Sequence, residues 1–171
     1  MKKIGWILFL ILLSAVSYLI YDEFSFSPLK KNDLQKLFKG YDGSFHKVCS
    51  KDFLGISSKG ELFDIFFYKL ESAEIRTDFP QLSKWGNKEI TNETLVGKWK
   101  NCPLDSLAMK LYEFTLTSNN LNEVKCSESL IAEIANPKNY YSYIHFNELE
   151  QYLLIYNTNK HELYYIRRKG F

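Results

Sequence analysis

The chain has 171 residues, with 22 basic and 20 acidic side chains. Lys2 and Lys3 are two of the basic ones and no acidic residue precedes Asp22, so the remainder carries no net charge. That balance excludes the surplus of Lys and Arg that a nucleic-acid-binding domain concentrates on its folded part, and about 150 residues suffice for one domain rather than two.

Ile4–Tyr21 is an uncharged run between Lys2-Lys3 and Asp22-Glu23. As a helix rising about 1.5 Å per residue it would reach roughly 27 Å, close to the hydrocarbon thickness of a bilayer. Two outcomes compete. Residues 1–21 are retained as a signal anchor, or they are removed as a signal peptide at the small-x-small site Ala15-Val16-Ser17. Tyr18-Leu19-Ile20-Tyr21 favours the anchor: a cleaved peptide does not need it, and tyrosine suits the membrane interface. Lys2 and Lys3 directly against the apolar run put the amino terminus inside, although Lys30, Lys31, Lys36 and Lys39 weigh against that orientation. No cysteine lies in or just after the run, which excludes a lipoprotein of the usual bacterial kind. The expected location is the cell membrane, single-pass through residues 4–21, with the rest exported to a periplasmic or extracellular space.

Residues 22–31 read as a tether, and 32–171 as one exported domain. Asn32 can cap a short helix bearing Leu34, Leu37 and Phe38 on one side, ended by Gly40. Its lysines could lie against anionic headgroups, but a solvated face is the simpler reading. Ser44–Cys49 and Phe53–Ile56 read as strands. Glu61–Leu70 carries apolar side chains on both parities, the pattern of a strand buried on both faces. Asp64 is discordant there and requires a donor the sequence does not identify. Trp85-Gly86-Asn87 reads as loop and Leu95–Trp99 as a strand. Asn92-Glu93-Thr94 fits the N-x-[ST] pattern, which matters only in a eukaryotic secretory pathway. Pro103 can start a helical turn, Tyr112–Cys126 reads as a hairpin about Ser118-Asn119-Asn120, and Ser127 opens a helix stopped by Asn136-Pro137. Tyr140–Phe146, Glu150–Tyr156 and His161–Arg168 are joined by short polar connections, as in an antiparallel meander. High aromatic content, at 16%, and only four prolines fit an ordered, strand-rich domain. The expected fold is α+β: an antiparallel sheet with two or three short helices, ending in a three-stranded meander and preceded by one transmembrane helix or signal sequence.

Cys49, Cys102 and Cys126 permit one disulfide in an oxidising compartment. The proposed hairpin favours Cys102–Cys126, while three buried thiols are the alternative. No phosphate loop, nucleophile elbow, H-E-x-x-H or paired C-x-x-C is present. His46 and Cys49 stand at H-x-x-C spacing, but His145 and His161 bring no companions at ligand spacing. No cofactor or metal is expected. The tyrosines of the meander are the nearest approach to a binding site. Tyr152 and Tyr156 share one face of the middle strand, opposite Leu153 and Ile155, and with Tyr143 and Tyr165 they could grip a protein partner. Cross-strand aromatic pairing inside the domain would account for the same residues. The sequence thus points to a small membrane-anchored or secreted binding module, an envelope accessory or immunity-type protein that is not an enzyme. The alternative is an envelope hydrolase using carboxylates or Cys49.

Overall fold

The computed structural model describes residues 2–25, 27–54, 61–79, 82–113 and 130–170. The chain divides into two units, residues 1–30 and 31–171. In the first, helix α1 runs Lys2–Ser25. Its described side chains, Trp6 and those of residues 8–18, are exposed. Trp6 meets Phe9 edge-on, with ring centroids 6.2 Å apart. Among the described residues, no helix is long and apolar enough to cross a membrane.

The second unit begins with α2 (Lys31–Leu37), whose Leu34 and Leu37 are buried. Gly40, at φ 58°, turns the chain away in a conformation that costs other residues strain. Strands β1 (Phe45–Asp52), β2 (Leu62–Leu70), the two-residue pair β3 (Lys84–Trp85) and β4 (Lys88–Glu89), and β5 (Leu95–Asn101) follow. Helices α3 (Ser106–Leu111) and α4 (Leu130–Ala135) precede the closing strands β6 (Tyr140–Asn147), β7 (Glu150–Asn157) and β8 (Glu162–Lys169). Six strands form an antiparallel sheet in the order β1-β2-β8-β7-β6-β5, and β3 with β4 makes a separate hairpin. The α+β class and the meander match the sequence reading.

The meander's turns are built by asparagines. Asn147 Oδ1 accepts from the Leu149 amide at 2.9 Å, and Asn157 Oδ1 accepts from the Asn159 and Lys160 amides at 3.0 Å each. Such side-chain bonds replace the ladder where the backbone reverses. β8 then passes between β7 and β2, which is why β2 is apolar on both parities: it has a covered face on either side.

One sheet face carries Phe63, Ile65, Tyr141, Tyr143, Leu153, Ile155, Tyr164 and Ile166, packed with Ala108 and Tyr112 from the α3 region and Leu130 and Ile134 of α4. Asp105 caps α3, its Oδ1 accepting from the Ala108 amide at 2.9 Å. The other face is aromatic. Phe38 lies 4.7 Å from Tyr156 and 5.8 Å from Trp99, and Phe79 continues the layer over Trp99. Trp85 of the hairpin covers Tyr152 and Tyr165. The edge strands β1 and β5 are each broken by a register shift, at Lys47/Cys49 and Gly97/Lys100. With exposed Lys51, Lys98 and Lys100, these shifts blunt the edges against pairing with other chains.

Several expectations are corrected. The expected strand Phe53–Ile56 does not form at Phe53 and Leu54, which are a bend after one longer β1, while 55–60 lie outside the described residues. Tyr112 closes α3 as its C-cap rather than opening a strand, because its ring is buried beneath the sheet. The remainder of that expected hairpin, including Cys126, lies outside the described residues, as does Ser127. Trp85, expected in a loop, ends β3, and Gly86-Asn87 alone forms the turn of the β3–β4 hairpin, with Gly86 at φ 57°.

A buried carboxylate fastens α4. Glu133 accepts from Asn139 Nδ2 at 2.5 Å, Asn157 Nδ2 at 2.7 Å and Lys160 Nζ at 2.9 Å. Burial alone would raise its pKa; the three donors outweigh burial and hold it below the usual value. A depressed folded pKa gives stability that is present above the unfolded value, about 4.3, and lost as pH falls through the folded one. Glu133→Gln should therefore cost about 1–3 kcal/mol at neutral pH. In urea unfolding the difference from the unaltered chain should shrink steadily below about pH 4. A pH-independent difference would show that the ionised form is not what matters.

Candidate functional site

Tyr152, Tyr156 and Tyr165 share the aromatic face, and Tyr143 lies on the opposite one beside Leu153. The parity expected for β7 is therefore observed, but the face bearing Tyr152 and Tyr156 is not open. Tyr156 is 0% exposed, Tyr165 3% and Tyr143 5%, while Tyr152 is half-buried. The four do not form an exposed patch, because α2, the Phe79 segment and the Trp85 hairpin close over the face of Tyr152, Tyr156 and Tyr165, while Tyr143 is packed with Tyr112 and α4 on the other.

The hydroxyls of Tyr152, Tyr156 and Tyr165 each have a local partner. Tyr156 Oη donates to the Ala73 carbonyl at 2.8 Å and lies 3.1 Å from His161 Nδ1. Tyr165 Oη accepts from Trp85 Nε1 at 3.3 Å. Tyr152 Oη donates to Glu150 Oε1 at 2.7 Å, and its ring stacks on Tyr165 with centroids 5.9 Å apart. Burial pushes the Tyr156 phenol up to about 12, raises Tyr152 and takes Tyr165 well above the ordinary range. All three remain neutral phenols at physiological pH. Tyr143 fills the other face over Gly97, where an added Cβ would fall inside its ring.

Two carboxylates border this aromatic floor. Asp64, 4% exposed, accepts from Arg167 Nε at 2.6 Å, and the guanidinium lies 5.2 Å over the Phe66 ring. Burial raises the Asp64 pKa despite the arginine. Glu150, also buried, is paired with Lys88 of the hairpin, whose ammonium sits 5.5 Å over the Phe146 ring. The donor required by Asp64 could have been traced in the sequence. The chain has three arginines, and two are consecutive at 167 and 168, so one of that pair must point to each face of the last strand. Trp85 and Lys88 left no such signal, since two-residue strands are too short to show a period.

On the opposite face, His145 and Gln151 are cross-strand partners. His145 Nδ1 and Gln151 Oε1 have no hydrogen-bond partner among the described residues, and burial lowers the histidine pKa. His46 is exposed on β1, and no group of three or more His, Cys, Asp or Glu suited to a metal gathers among the described residues.

The cysteines differ from expectation. Cys102 is a free, buried thiol, raised to about 12 first by burial and then by Glu133, whereas Cys49 is disulfide-bonded. The expected Cys102–Cys126 bridge is thus not formed, because Cys102 is packed in the core beneath α3 and α4. In its bonded form Cys49 offers no thiolate for nucleophilic attack.

Two outcomes follow for experiment. Tyr156→Ala should destabilise the domain by about 3–5 kcal/mol in denaturant unfolding, as for a large core aromatic. Loss of less than about 1 kcal/mol would return Tyr156 to the surface. Alkylation of the unfolded, unreduced chain, followed by peptide mapping, should label Cys102 and leave Cys49 unlabelled; the reverse pattern would overturn the assignment. Compared with known proteins, the chain matches no family model, no curated protein and no solved structure.

Proposed function

We propose that the chain is a small binding module held at the cell membrane by residues 4–21, working on a protein partner outside it as an envelope accessory or immunity-type protein. The observation that carries this reading is the uncharged run Ile4–Tyr21, lying wholly within one 24-residue helix. A disulfide at Cys49 supports it, because such bonds persist in oxidising compartments outside the cytoplasm. The neutral charge balance of residues 22–171 favours a protein over a nucleic acid. The described buried carboxylates support binding rather than hydrolysis. Asp64, Glu133 and Glu150 are each engaged by a cation or hydrogen-bond donors that join one element to another, which is structural use of groups a hydrolase would keep free for substrate.

Carbonate-washed membranes should retain the chain with Met1 or Lys2 at its start, and protease added to intact protoplasts should digest the domain. A mature chain beginning at Tyr18 would replace the anchor by a secreted domain. Protection from protease until the cells are lysed would overturn export altogether.

A further inference from the structure

Among the described residues, the β3–β4 hairpin is the one element of the aromatic face that brings its own miniature sheet. Its strands are two residues long, its turn is Gly86-Asn87, and it closes with the Ile90 amide donating to the Ser83 carbonyl at 2.9 Å. It makes no ladder with the six-stranded sheet. Isolated hairpins of this size have little stability of their own. What seats it are side chains. Trp85 stands edge-on to Tyr152 and Tyr165, with ring centroids 6.3 Å away in both cases, and donates Nε1–H to Tyr165 Oη at 3.3 Å. Lys88 pairs with buried Glu150, and Lys36 lies 5.9 Å over the Trp85 ring.

We propose that this hairpin is a displaceable strap, and that the floor beneath it is a docking site for a protein segment of the same chemistry. The strap specifies its competitor. The Tyr152–Tyr165 stack takes the edge of an indole and accepts its N–H. Glu150, 5% exposed and already hydrogen-bonded to Tyr152, takes an ammonium group three residues further along a tight turn. A partner hairpin carrying tryptophan and lysine in the relation of Trp85 and Lys88 would replace both contacts at once. The exchange leaves no buried charge unpaired, since the partner's ammonium takes the place of Lys88 on Glu150. The inference rests on the reading of the chain as a binding module and supplies that module with a site.

The full chain in detergent, unaltered and carrying Trp85→Ala, is titrated with a fluorescein-labelled peptide of residues 82–91. The variant should keep a cooperative melt and bind the peptide about tenfold or more tightly than the unaltered chain, whose own strap competes for the floor. A peptide carrying Trp85→Ala should bind neither. Equal binding to both chains, or none to the folded variant, overturns the proposal. Loss of the fold in the variant overturns it as well, since a strap that cannot leave without unfolding the domain is part of the core. In the unaltered chain, the Ile90 amide should exchange by local opening that denaturant scarcely alters, while β7 amides follow global unfolding. A shared denaturant dependence would count against the strap. None of these failures touches the location of the chain at the membrane, which is tested separately by protease and carbonate.

Discussion

The inner strands of the sheet are apolar on both sides, and everything else in the domain follows from the need to cover two faces at once. β7 presents Leu153 and Ile155 to one side and Leu154 and Tyr156 to the other, all 0% exposed. Burying aliphatic and aromatic side chains at roughly 25 cal/mol per Å² is the dominant favourable term, so a sheet of this composition needs a covering over most of each face. The two coverings are unlike. α3 and α4 lay helices on one face; on the other, α2, the chain around Phe79 and the small hairpin assemble a layer of rings in which Phe38, Trp99 and Tyr156 touch one another.

Polar groups caught inside this double-sided core serve as fasteners between elements distant in sequence. Tyr112 Oη donates to the Tyr152 carbonyl at 2.9 Å, tying the end of α3 to β7. Arg167 and Asp64 join β8 to β2, and Lys88 with Glu150 joins the hairpin to β7. Each fastener removes the cost of an unmet buried group only if its partner arrives. The polar set therefore rewards one arrangement of elements over its compact competitors, while apolar burial supplies the bulk of the stability.

Legibility in the sequence followed periodicity. The meander could be read to within about a residue at each boundary, because long alternating runs separated by Asn-rich turns carry two agreeing signals. The burial of β2 on both faces was legible in the parity of Phe63, Ile65, Phe66 and Tyr68. Tyr112 was misread because Tyr-x-Phe-x-Leu alternates like a strand, whereas the preceding Asp105 capped a helix whose last turn Tyr112 completes. The tyrosines were harder still. Alternation assigns Tyr152 and Tyr156 to a common face correctly, but says nothing about what lies over that face. The covering pieces are short and irregular, with Phe38 just past one helix and Trp85 in a two-residue strand. Pattern reading has no hold on segments shorter than its own period.

The position of β8 has a consequence for the time course of synthesis. Leu62 pairs with Lys169, so β2 finds its inner neighbour more than a hundred residues later in the chain. At about 5–20 residues per second, β2 waits some 5–20 seconds with one edge unpaired and its Phe-rich sides uncovered. Loop closure over such a separation is slow to be rewarded, and the β1–β2 ribbon has little reason to persist before it. Until β8 is made, β1 and β2 therefore have little to hold them folded, and a polypeptide in that condition can be threaded through a narrow channel. A sheet whose two groups of strands are joined in its interior by β8 commits to its fold only when that strand is delivered.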